Sequence, residues 1–405
     1  MLRFLTAGES HGRALVVILE GMPAGLPIDL DAITRELRRR QGGYGRGRRM
    51  AIESDRAEPI SGIRAGETLG GPIALMIENR DWVNWQHTMR VTAEAPADAG
   101  GAHRPPVTRP RPGHADLAGG AKYRRTDLRD VLERASARET AARVAAGALA
   151  RQLLAHVGVR IASHVFTIGS VSIADPASVT YEQAAALPDD SPLRCVDDGV
   201  SQRMIEVIDR ARDAGDTVGG AFEIIATGVP IALGSYVQWD RKLDGRLAQA
   251  MMSIPAIKAV GIGAGPRVAE LPGSRVHDEI LPHAGDARAT AIARPTNNAG
   301  GLEGGVTNGE DVRVSGYMKP ISTLMKPLRS VDLATMTESP ATIERSDVCA
   351  VPAAAVVGEA MVALVLADAV LERFGGDSIA ALDQAMQASD AELRRRFRAT
   401  DTHRS

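Results

Sequence analysis

The chain has 405 residues, of which 44% are hydrophobic and 24% are charged, and its formal net charge is −2. This composition is ordinary for a soluble globular protein, and the length allows one large domain or two or three smaller ones. The two cysteines, Cys195 and Cys349, lie far apart in the sequence, which excludes a disulfide framework and a cysteine-spaced zinc site and favours a reducing compartment.

The N-terminal segment carries charged residues at Arg3, Glu9 and Arg13 and has no apolar run of signal-peptide length. No stretch of the chain is expected to reach the length of a membrane span. We therefore predict a cytoplasmic protein that does not contact a membrane. The overall charge gives no indication of nucleic-acid binding.

The first 25 residues predict a β-hairpin, with one strand over Arg3–Thr6 and a second over Ala14–Glu20. The turn between them, AGESHG, places Glu9, Ser10 and His11 at an exposed tip, where polar groups can face a ligand. A lone histidine in a turn is more often simply solvated.

A helix is predicted to begin at Asp29 or Asp31 and to end at Arg40 before two glycines, and a strand is predicted over Met50–Ser54. Residues 38–49 hold six arginines and no acid, which favours a loop that binds a small polyanion. The alternative is a flexible RNA-binding segment, but only one aromatic residue, Tyr44, lies in this block, and base binding usually needs several.

A buried strand is predicted over Pro72–Glu78, followed by a long irregular segment, Asp81 to Arg111. The stretch from Arg111 to Thr140 then combines one histidine, a nearby acid, a glycine pair and many arginines. Ser136 and Glu139 match a capping box, which predicts a helix start near Ser136 and an anion site at its N-terminus. On local pattern alone, a capped surface helix with solvated arginines is favoured over an anion site.

The middle of the chain alternates predicted strands and helices. They are strands near Val159–Ile173, a short helix capped by Thr180 with Gln183, a helix over Ser201–Ala214, a strand over Ala221–Ile231 and a helix near Arg241–Ser253.

A second glycine-rich block, Ala293 to Thr323, matches neither a P-loop nor a dinucleotide fingerprint. Its glycines would let the backbone approach a flat or phosphorylated ligand, and Lys319 would supply a cation. A glycine-rich hairpin without a ligand is equally consistent with this pattern.

The segment after Asp347 predicts a long, nearly all-apolar helix at the centre of the fold or at an oligomer contact. The Asp347 carboxylate would lie at the helix N-terminus, where it could be functional or a simple cap. We expect a catalytic domain over residues 1–376, and an amphipathic helix with a frayed tail over residues 377–405.

Several of these blocks, in this order, resemble the chorismate synthase family from Arg3 to about Phe374. The matching motifs are AGESHG, GYGRGRRM, SGIRAGETLGGPI, RPGHAD, RASARETAARVAAG, NNAGGLEGGVTNG, MKPIST and RSDVCAVPA. The resemblance implies a carbon–oxygen lyase that converts 5-enolpyruvylshikimate-3-phosphate to chorismate by 1,4-elimination of phosphate. Reduced FMN is required, although there is no net redox change.

The resemblance also implies site residues. His11 would assist the departing phosphate, His114 would lie near the flavin N1 and O2 edge, and Asp347 would help N5 accept the C6 proton. The implied substrate ligands are Arg40, Arg46, Arg49, Arg111, Arg138 and Arg345. The implied FMN contacts are Arg134, Ala135, Ser136, Ala256, Gly304, Lys319, Pro320, Ile321, Ser322 and Thr323.

The family fold is an α+β, β-α-β sandwich in a single large domain, with helices between two antiparallel sheets and long active-site loops, assembled as a homotetramer. This chain departs from the family pattern at Gly261, which lacks the usual carboxylate, and at Asn298, where an arginine or histidine is frequent. Some relatives also reduce the flavin with NAD(P)H. The missing dinucleotide fingerprint favours an outside reductant here.

Overall fold

The protein combines helices with several antiparallel sheets in an α+β arrangement. The structure, a computed structural model, describes residues 1–47, 54–94, 100–282, 290–344 and 347–397. Its strands are β1 (Arg3–Ala7), β2 (Ala14–Glu20), β3 (Ala57–Ser61), β4 (Ile63–Arg64), β5 (Glu67–Thr68), β6 (Ile73–Glu78), β7 (Arg160–Ile168), β8 (Val171–Ser172), β9 (Gly220–Thr227), β10 (Ile257–Ile262), β11 (Leu281–Pro282), β12 (Ile292–Ala293), β13 (Leu302–Glu303), β14 (Val306–Thr307), β15 (Val312–Met318), β16 (Arg329–Asp332) and β17 (Thr337–Pro340).

Ten α-helices lie between and after the strands in the described part of the chain. They are α1 (Leu30–Gln41), α2 (Asp116–Tyr123), α3 (Arg129–Leu132), α4 (Thr140–His156), α5 (Tyr181–Ala185), α6 (Asp198–Asp213), α7 (Leu243–Met252), α8 (Gly273–Val276), α9 (Val351–Phe374) and α10 (Ile379–Phe397). Short 3₁₀ helices span Arg80–Asn84, Ala137–Glu139, Pro176–Ser178, Trp239–Arg241 and Gly265–Glu270.

The first sheet has four antiparallel strands in the order β1-β2-β6-β3. The predicted hairpin is confirmed, because β1 and β2 pair with Arg3 opposite Glu20. Side chains alternate across a strand, so Leu15, Val17 and Leu19 of β2 are all buried on one face. Helix α4 packs against β2 and β6.

The second sheet has five antiparallel strands in the order β10-β15-β9-β7-β8. Helix α9 packs on β7 and β9, and it also packs on α4. Glycine permits both close approaches: a Cβ at Gly358 would lie 2.8 Å from the Phe222 ring, and one at Gly147 would lie 2.3 Å from the Cβ of Ala360. One continuous apolar core therefore joins both sheets. Emptying the site of the fully buried Phe222 would cost about 3–5 kcal/mol.

Helix α9 is central in the fold, as its composition predicts, with most of its residues buried from Val351 to Leu371. The expectation that no stretch reaches the length of a membrane span was wrong. This 24-residue helix has a window of mean hydropathy 2.1 that is long and apolar enough, but 89% of that window is buried inside the protein. Burial in the core accounts for its apolar composition.

Most predicted elements are present with small changes in their bounds. Strand β9 ends at Thr227 instead of Ile231, because Gly228 turns the chain with a φ of 72° and Pro230 has no N–H for a strand ladder. The Thr180–Gln183 capping box is confirmed. Helix α6 begins three residues earlier than predicted, at Asp198, because Asp197 caps it.

The C-terminal helix α10 is connected to the N-terminal part of the chain. Ala24 N–H donates to Asp377 O at 2.9 Å, and Ile379 N–H donates to Ala24 O at 2.9 Å. Ile379 and Leu382 join the main apolar core. The frayed end predicted after this helix lies outside the described residues from position 398 onward.

Candidate active site

His11 lies at the tip of the β1–β2 hairpin and is held by a buried carboxylate. Its Nδ1 is 2.8 and 3.0 Å from the two oxygens of Glu133, and its backbone N–H donates to the same carboxylate at 2.9 Å. The ring stacks on Trp85 with centroids 3.9 Å apart. The exposed solvated histidine that a turn usually gives is therefore not observed, because the His11 side chain is only 16% exposed.

His114 forms a second pair with a carboxylate. Its Nδ1 is 2.6 Å from Asp116 Oδ1, and Arg111 Nε donates to Asp116 Oδ2 at 2.8 Å. Burial opposes the charge on Asp116, but the hydrogen bonds from His114 and Arg111 outweigh it and hold the pKa of Asp116 far below its usual value. Arg111 also donates to Thr323 Oγ1 at 3.0 Å.

Three predicted substrate ligands form one cluster with two aspartates, here called the site ion cluster: Arg40, Arg46, Arg138, Asp55 and Asp347. Arg138 Nη1 donates to both oxygens of Asp55 at 2.6 and 2.7 Å. Arg40 donates to the start of α4, to Thr140 Oγ1 and Ala137 O, both at 2.8 Å. Arg40 Nη1 is buried, lies 3.8 Å from Asp55 and has no hydrogen-bond partner among the described residues.

Asp347 belongs to this cluster and is not a helix cap. Its Oδ1 accepts from the backbone N–H of Gly47 at 2.7 Å, and its Oδ2 lies 2.8 Å from Arg46 Nη1. Helix α9 begins four residues later, and its N-cap, Ala350, makes no side-chain cap. The prediction that the helix N-terminus holds this carboxylate was therefore wrong. An arginine and a loop amide hold it instead.

The histidine loop and the site ion cluster meet at Asn79, which follows β6. Asn79 Nδ2 donates to Glu9 O at 3.1 Å and to Gly12 O at 2.7 Å, on either side of His11. Its Oδ1 accepts from Arg138 Nε at 2.9 Å. One buried amide thus fixes the hairpin tip relative to the cationic cluster.

Arg134, Ala135 and Ser136 line an open cavity of about 460 Å³ between β1, the start of α4 and the end of α7. Arg134 donates to Thr6 O at 3.0 Å and to Gly8 O at 3.1 Å, so its charge is directed at the hairpin. The predicted helix start near Ser136 is confirmed, because Ser136 is the N-cap of the 3₁₀ turn Ala137–Glu139 that leads into α4, but the full capping box with Glu139 was wrong. Ser136 Oγ accepts from Arg138 N–H instead, while Glu139 binds Thr6 and Arg143.

The run Lys319–Thr323 borders the loop that carries His114. Lys319 Nζ donates to Gly113 O at 2.6 Å, and Lys319 N–H donates to Ala256 O at 2.9 Å. Burial, followed by the nearby Lys258, lowers the pKa of Lys319. Ala256 has a left-handed backbone, with φ of 69°, and follows Pro255 on the wall of the cavity.

Two hydrogen bonds connect this run to the site ion cluster. Thr217 Oγ1 donates to Ile321 O at 2.7 Å, and the next residue, Val218, donates to Val348 O at 2.9 Å, beside Asp347. The structure therefore brings most of the predicted site residues into one connected region.

Some predicted site residues are not joined to this region. Gly304 turns the β13–β14 hairpin beside Tyr236, and none of the hydrogen bonds between described residues connects it to the other predicted positions. The second glycine-rich block does form a hairpin here. Arg49 and Arg345 lie outside the described residues, as does most of the predicted strand Met50–Ser54.

The two departures from the family pattern lie in ordered backbone segments. A Cβ at Gly261 would lie 3.3 Å from Gly265 Cα and 3.6 Å from Pro266, so the following turn takes the space of a side chain. Asn298 is held by its backbone, because its N–H donates to Asp278 and its carbonyl accepts from Ala264.

Four residues of the site were missed from sequence: Asp55, Asn79, Trp85 and Glu133. Glu133 stands directly before Arg134, and Asn79 stands at the end of a predicted strand, but neither position carries a local signal for these contacts. Asp55 and Trp85 meet their partners only through tertiary packing. The acid predicted near His114 is Asp116, and its carboxylate contacts Nδ1 of His114.

The arrangement as a whole combines three properties in connected segments. It has clustered guanidinium groups for a polyanion, two histidines whose Nδ1 atoms are held by carboxylates, and a cavity within the usual size range of ligand sites, about 300–1,000 Å³. These are the requirements for binding a small multiply charged substrate and transferring protons on it.

The comparisons with known proteins agree on one family. The sequence profile of the family described as chorismate synthase matches residues 2–371. A chorismate synthase of Moorella thermoacetica is 58% identical over 96% of this chain and 98% of that protein. One of Solibacter usitatus is 56% identical over 94% and 96%.

A solved structure points the same way. It is described as a crystal structure of chorismate synthase, is 42% identical, covers 97% of this chain and 98% of its own, and has a TM-score of 0.77. The chain belongs to the chorismate synthase family.

Proposed function

We propose that this protein converts 5-enolpyruvylshikimate-3-phosphate to chorismate by 1,4-elimination of phosphate, with reduced FMN bound, in the biosynthesis of aromatic amino acids. Full-length similarity to the named relatives supports the reaction. The observation that carries it within the site is the buried Nη1 of Arg40, which has no hydrogen-bond partner among the described residues. A buried guanidinium nitrogen without a hydrogen bond is costly, and an anionic ligand in this cationic cluster would supply the acceptor.

The site ion cluster would bind the charged groups of the substrate. Three arginines face two aspartates, so the cluster keeps an excess of positive charge for phosphate and carboxylate. Burial and the neighbouring arginines lower the pKa of Arg40 to about 9, although Asp55 opposes this, so the group still carries its charge at neutral pH. Arg111, and by similarity Arg49 and Arg345, complete the assigned anion ligands.

The histidines would transfer protons. In each, a carboxylate lies within hydrogen-bond distance of Nδ1, which in His11 leaves Nε2 for the ligand. In His114, Arg111 Nη2 also lies 3.0 Å from Nδ1 and 3.4 Å from Nε2. His11 would give its Nε2 proton to an oxygen of the leaving phosphate as the C3–O bond breaks. His114 would hold a proton at the edge of the cofactor, and by similarity the Asp347 carboxylate would assist removal of the C6 proton.

The residues present fit a flavin. The cavity at Arg134, Ala135 and Ser136 is of suitable size, and Ala256 and the run Lys319 to Thr323 supply backbone groups and a cation beside the His114 loop. When bound, reduced FMN supplies electron density that assists loss of a poorly acidic C6 proton. The source of its reduction is proposed to be external to this chain.

We extend the proposal to the assembly and to the cell. The packing of α4 on the first sheet, α9 on the second and the two helices on each other supports a sandwich of helices between two sheets. A homotetramer would place the separate Gly304 hairpin near the cofactor of a neighbouring copy, and sedimentation of the protein would test it. A biosynthetic role on a soluble substrate supports a cytoplasmic location.

The test is anaerobic incubation of the purified protein with 5-enolpyruvylshikimate-3-phosphate and reduced FMN, with chorismate and phosphate measured together. We expect equal amounts of both, and no net oxidation of the flavin. A folded preparation that binds FMN but yields no chorismate above the protein-free control would remove the proposal.

A further inference from the structure

His11 and its loop make more contacts with Glu133 than a solvated histidine at a loop tip would make. The Glu133 side chain is fully buried, and its carboxylate is shared by the ring and the backbone N–H of His11. The backbone carbonyl of Glu133 also accepts from Ser10 N–H at 3.0 Å. Three separate contacts therefore connect Glu133, which follows α3, to Ser10 and His11 at the hairpin tip.

The surroundings fix the remaining freedom of the ring. Trp85, which is 5% exposed, stacks on His11 at an interplanar angle of 22° and so sets the plane of the imidazole. Trp85 is itself held through Nε1, which donates to Asp81 at 3.0 Å. Rotation within that plane is set by Glu133, because an ionised carboxylate only accepts hydrogen bonds and Nδ1 must therefore donate.

We propose that Glu133 is a positioning residue that holds His11 with its proton on Nδ1 and presents Nε2 to the ligand. The inference rests on the proposed function for the role of His11, but the nitrogen assignment stands on the contacts alone. In the reaction, the protonated ring loses one proton from Nε2 to a phosphate oxygen, while the Nδ1 proton stays on its hydrogen bond to Glu133.

Arg129 strengthens this assignment. Its Nη1 lies 3.7 Å from a Glu133 oxygen, and its guanidinium carbon lies 5.4 Å from the centre of the Trp85 ring. The guanidinium thus places a positive charge beside the carboxylate oxygens that face His11. The 3.7 Å separation is longer than a hydrogen bond, so Arg129 does not displace His11 from the carboxylate.

The first measurement needs no variant. The ring nitrogens of His11 are observed by NMR in protein labelled with ¹⁵N-histidine, with His11→Ala used to assign the signals. We expect the neutral ring to carry its proton on Nδ1. A ring that carries it on Nε2 would overturn the inference whether or not the protein forms chorismate.

The second measurement uses Glu133→Gln, which keeps the shape and removes the charge. We expect kcat to fall on the order of 10²-fold while the substrate KM changes less than about threefold, because orientation of the acid affects the chemical step. In the His11→Ala background the same change should cause no further loss, since Glu133 acts through His11. Full additivity of the two losses, or a parent-like kcat in Glu133→Gln, contradicts the proposal.

Asp383→Asn is the matched control. Asp383 pairs with His156 at 2.9 Å on the surface. The substitution therefore changes the same kind of contact far from the site and should leave kcat and KM unchanged. If Glu133→Gln does not fold, Glu133→Asp is used instead. It keeps the charge but moves the carboxylate oxygens back by one methylene group. A kcat equal to that of the parent would again reject the positioning role. Inactivity of the parent itself would reject the proposed function and leave the nitrogen assignment to the NMR experiment.

Discussion

Arg39 and Arg40 are adjacent on α1, yet they belong to two different charge clusters. Arg40 joins the site ion cluster. Arg39 joins a core ion cluster that also contains Arg151, Arg194 and Glu359. Each cluster sets three arginines around a buried carboxylate, Asp55 in one and Glu359 in the other, so residue type does not distinguish them.

The carboxylate of the core ion cluster is saturated with donors. Arg39 donates to the two oxygens of Glu359 at 2.7 and 2.9 Å, Arg151 contacts the same carboxylate, and Ser163 Oγ donates to it at 2.5 Å. Glu359 is fully buried, which opposes its charge, but the arginines outweigh this and hold its pKa far below the usual value. A saturated carboxylate has no capacity left for a ligand.

The site ion cluster is open. Arg40 has a buried Nη1 with no hydrogen bond to a described residue, and this nitrogen lies 3.8 Å from Asp55. The core ion cluster also has one such nitrogen, Arg39 Nε, but it lies closer to a carboxylate, 3.3 Å from an Asp189 oxygen. The two clusters therefore differ in how close the remaining donor lies to a carboxylate, and not in residue type. The two clusters should therefore respond differently to mutation, one in stability and the other in substrate binding.

The largest effect is expected from Glu359→Gln. Loss of the charge leaves three arginines near an uncharged amide in the core, which should lower the free energy of unfolding by about 3–5 kcal/mol. The substrate KM of the molecules that remain folded should be unchanged. Urea unfolding and steady-state kinetics measure the two quantities.

Glu372→Gln is the control for this change. Glu372 lies on the same helix and pairs with Arg241 and Arg246, but it is 38% exposed, so its loss should cost less than about 1 kcal/mol. Equal losses in the two variants would show that the core ion cluster has no special role.

The second effect is expected from Arg46→Ala. One charge-assisted contact to substrate should be lost, which raises KM by roughly ten- to a hundredfold, or about 1.5–3 kcal/mol. Arg38→Ala, in the same arginine block but on the exposed side of α1, is the control and should keep the parent KM. If both variants bind substrate like the parent, the block has been assigned the wrong role.

The smallest effect is expected from Asp116→Asn, and it depends on pH. Because the folded pKa of Asp116 is lowered, its carboxylate stabilises the fold above its unfolded pKa of about 4, and that stability is lost as pH falls below this value. We expect the variant to be about 1–2 kcal/mol less stable than the parent at pH 7, with a smaller difference as the solution is acidified below pH 4. Unfolding at several pH values measures this, and a constant difference would contradict it.

Much of the fold could be predicted from local pattern. The β1–β2 hairpin, the capped helices and α9 follow from alternation, capping residues and apolar composition. Errors arose where a tertiary contact displaced a local one. Glu139 matches a capping box, but its carboxylate is used by Thr6, which is 133 positions away.

The candidate site was predicted in part, and for a physical reason. The residue type of a histidine or an arginine indicates its chemistry, so His11, His114 and Arg138 could be predicted. Their orienting partners are ordinary carboxylates and an amide, and only packing selects Glu133, Asp55 and Asn79 from the many similar residues. The resemblance supplied residue roles that no local pattern contains.

The contact between Ala24 and the start of α10 has a consequence for synthesis of the protein. Leu2 N–H likewise donates to Asp368, a residue 366 positions later. At roughly 5–20 residues per second, the N-terminal hairpin leaves the ribosome well before these partners are made. During that interval α4, which packs against β2, has no α9 to pack on. The nascent chain should therefore need protection from aggregation until its last helices emerge, and closure of the fold should be slow.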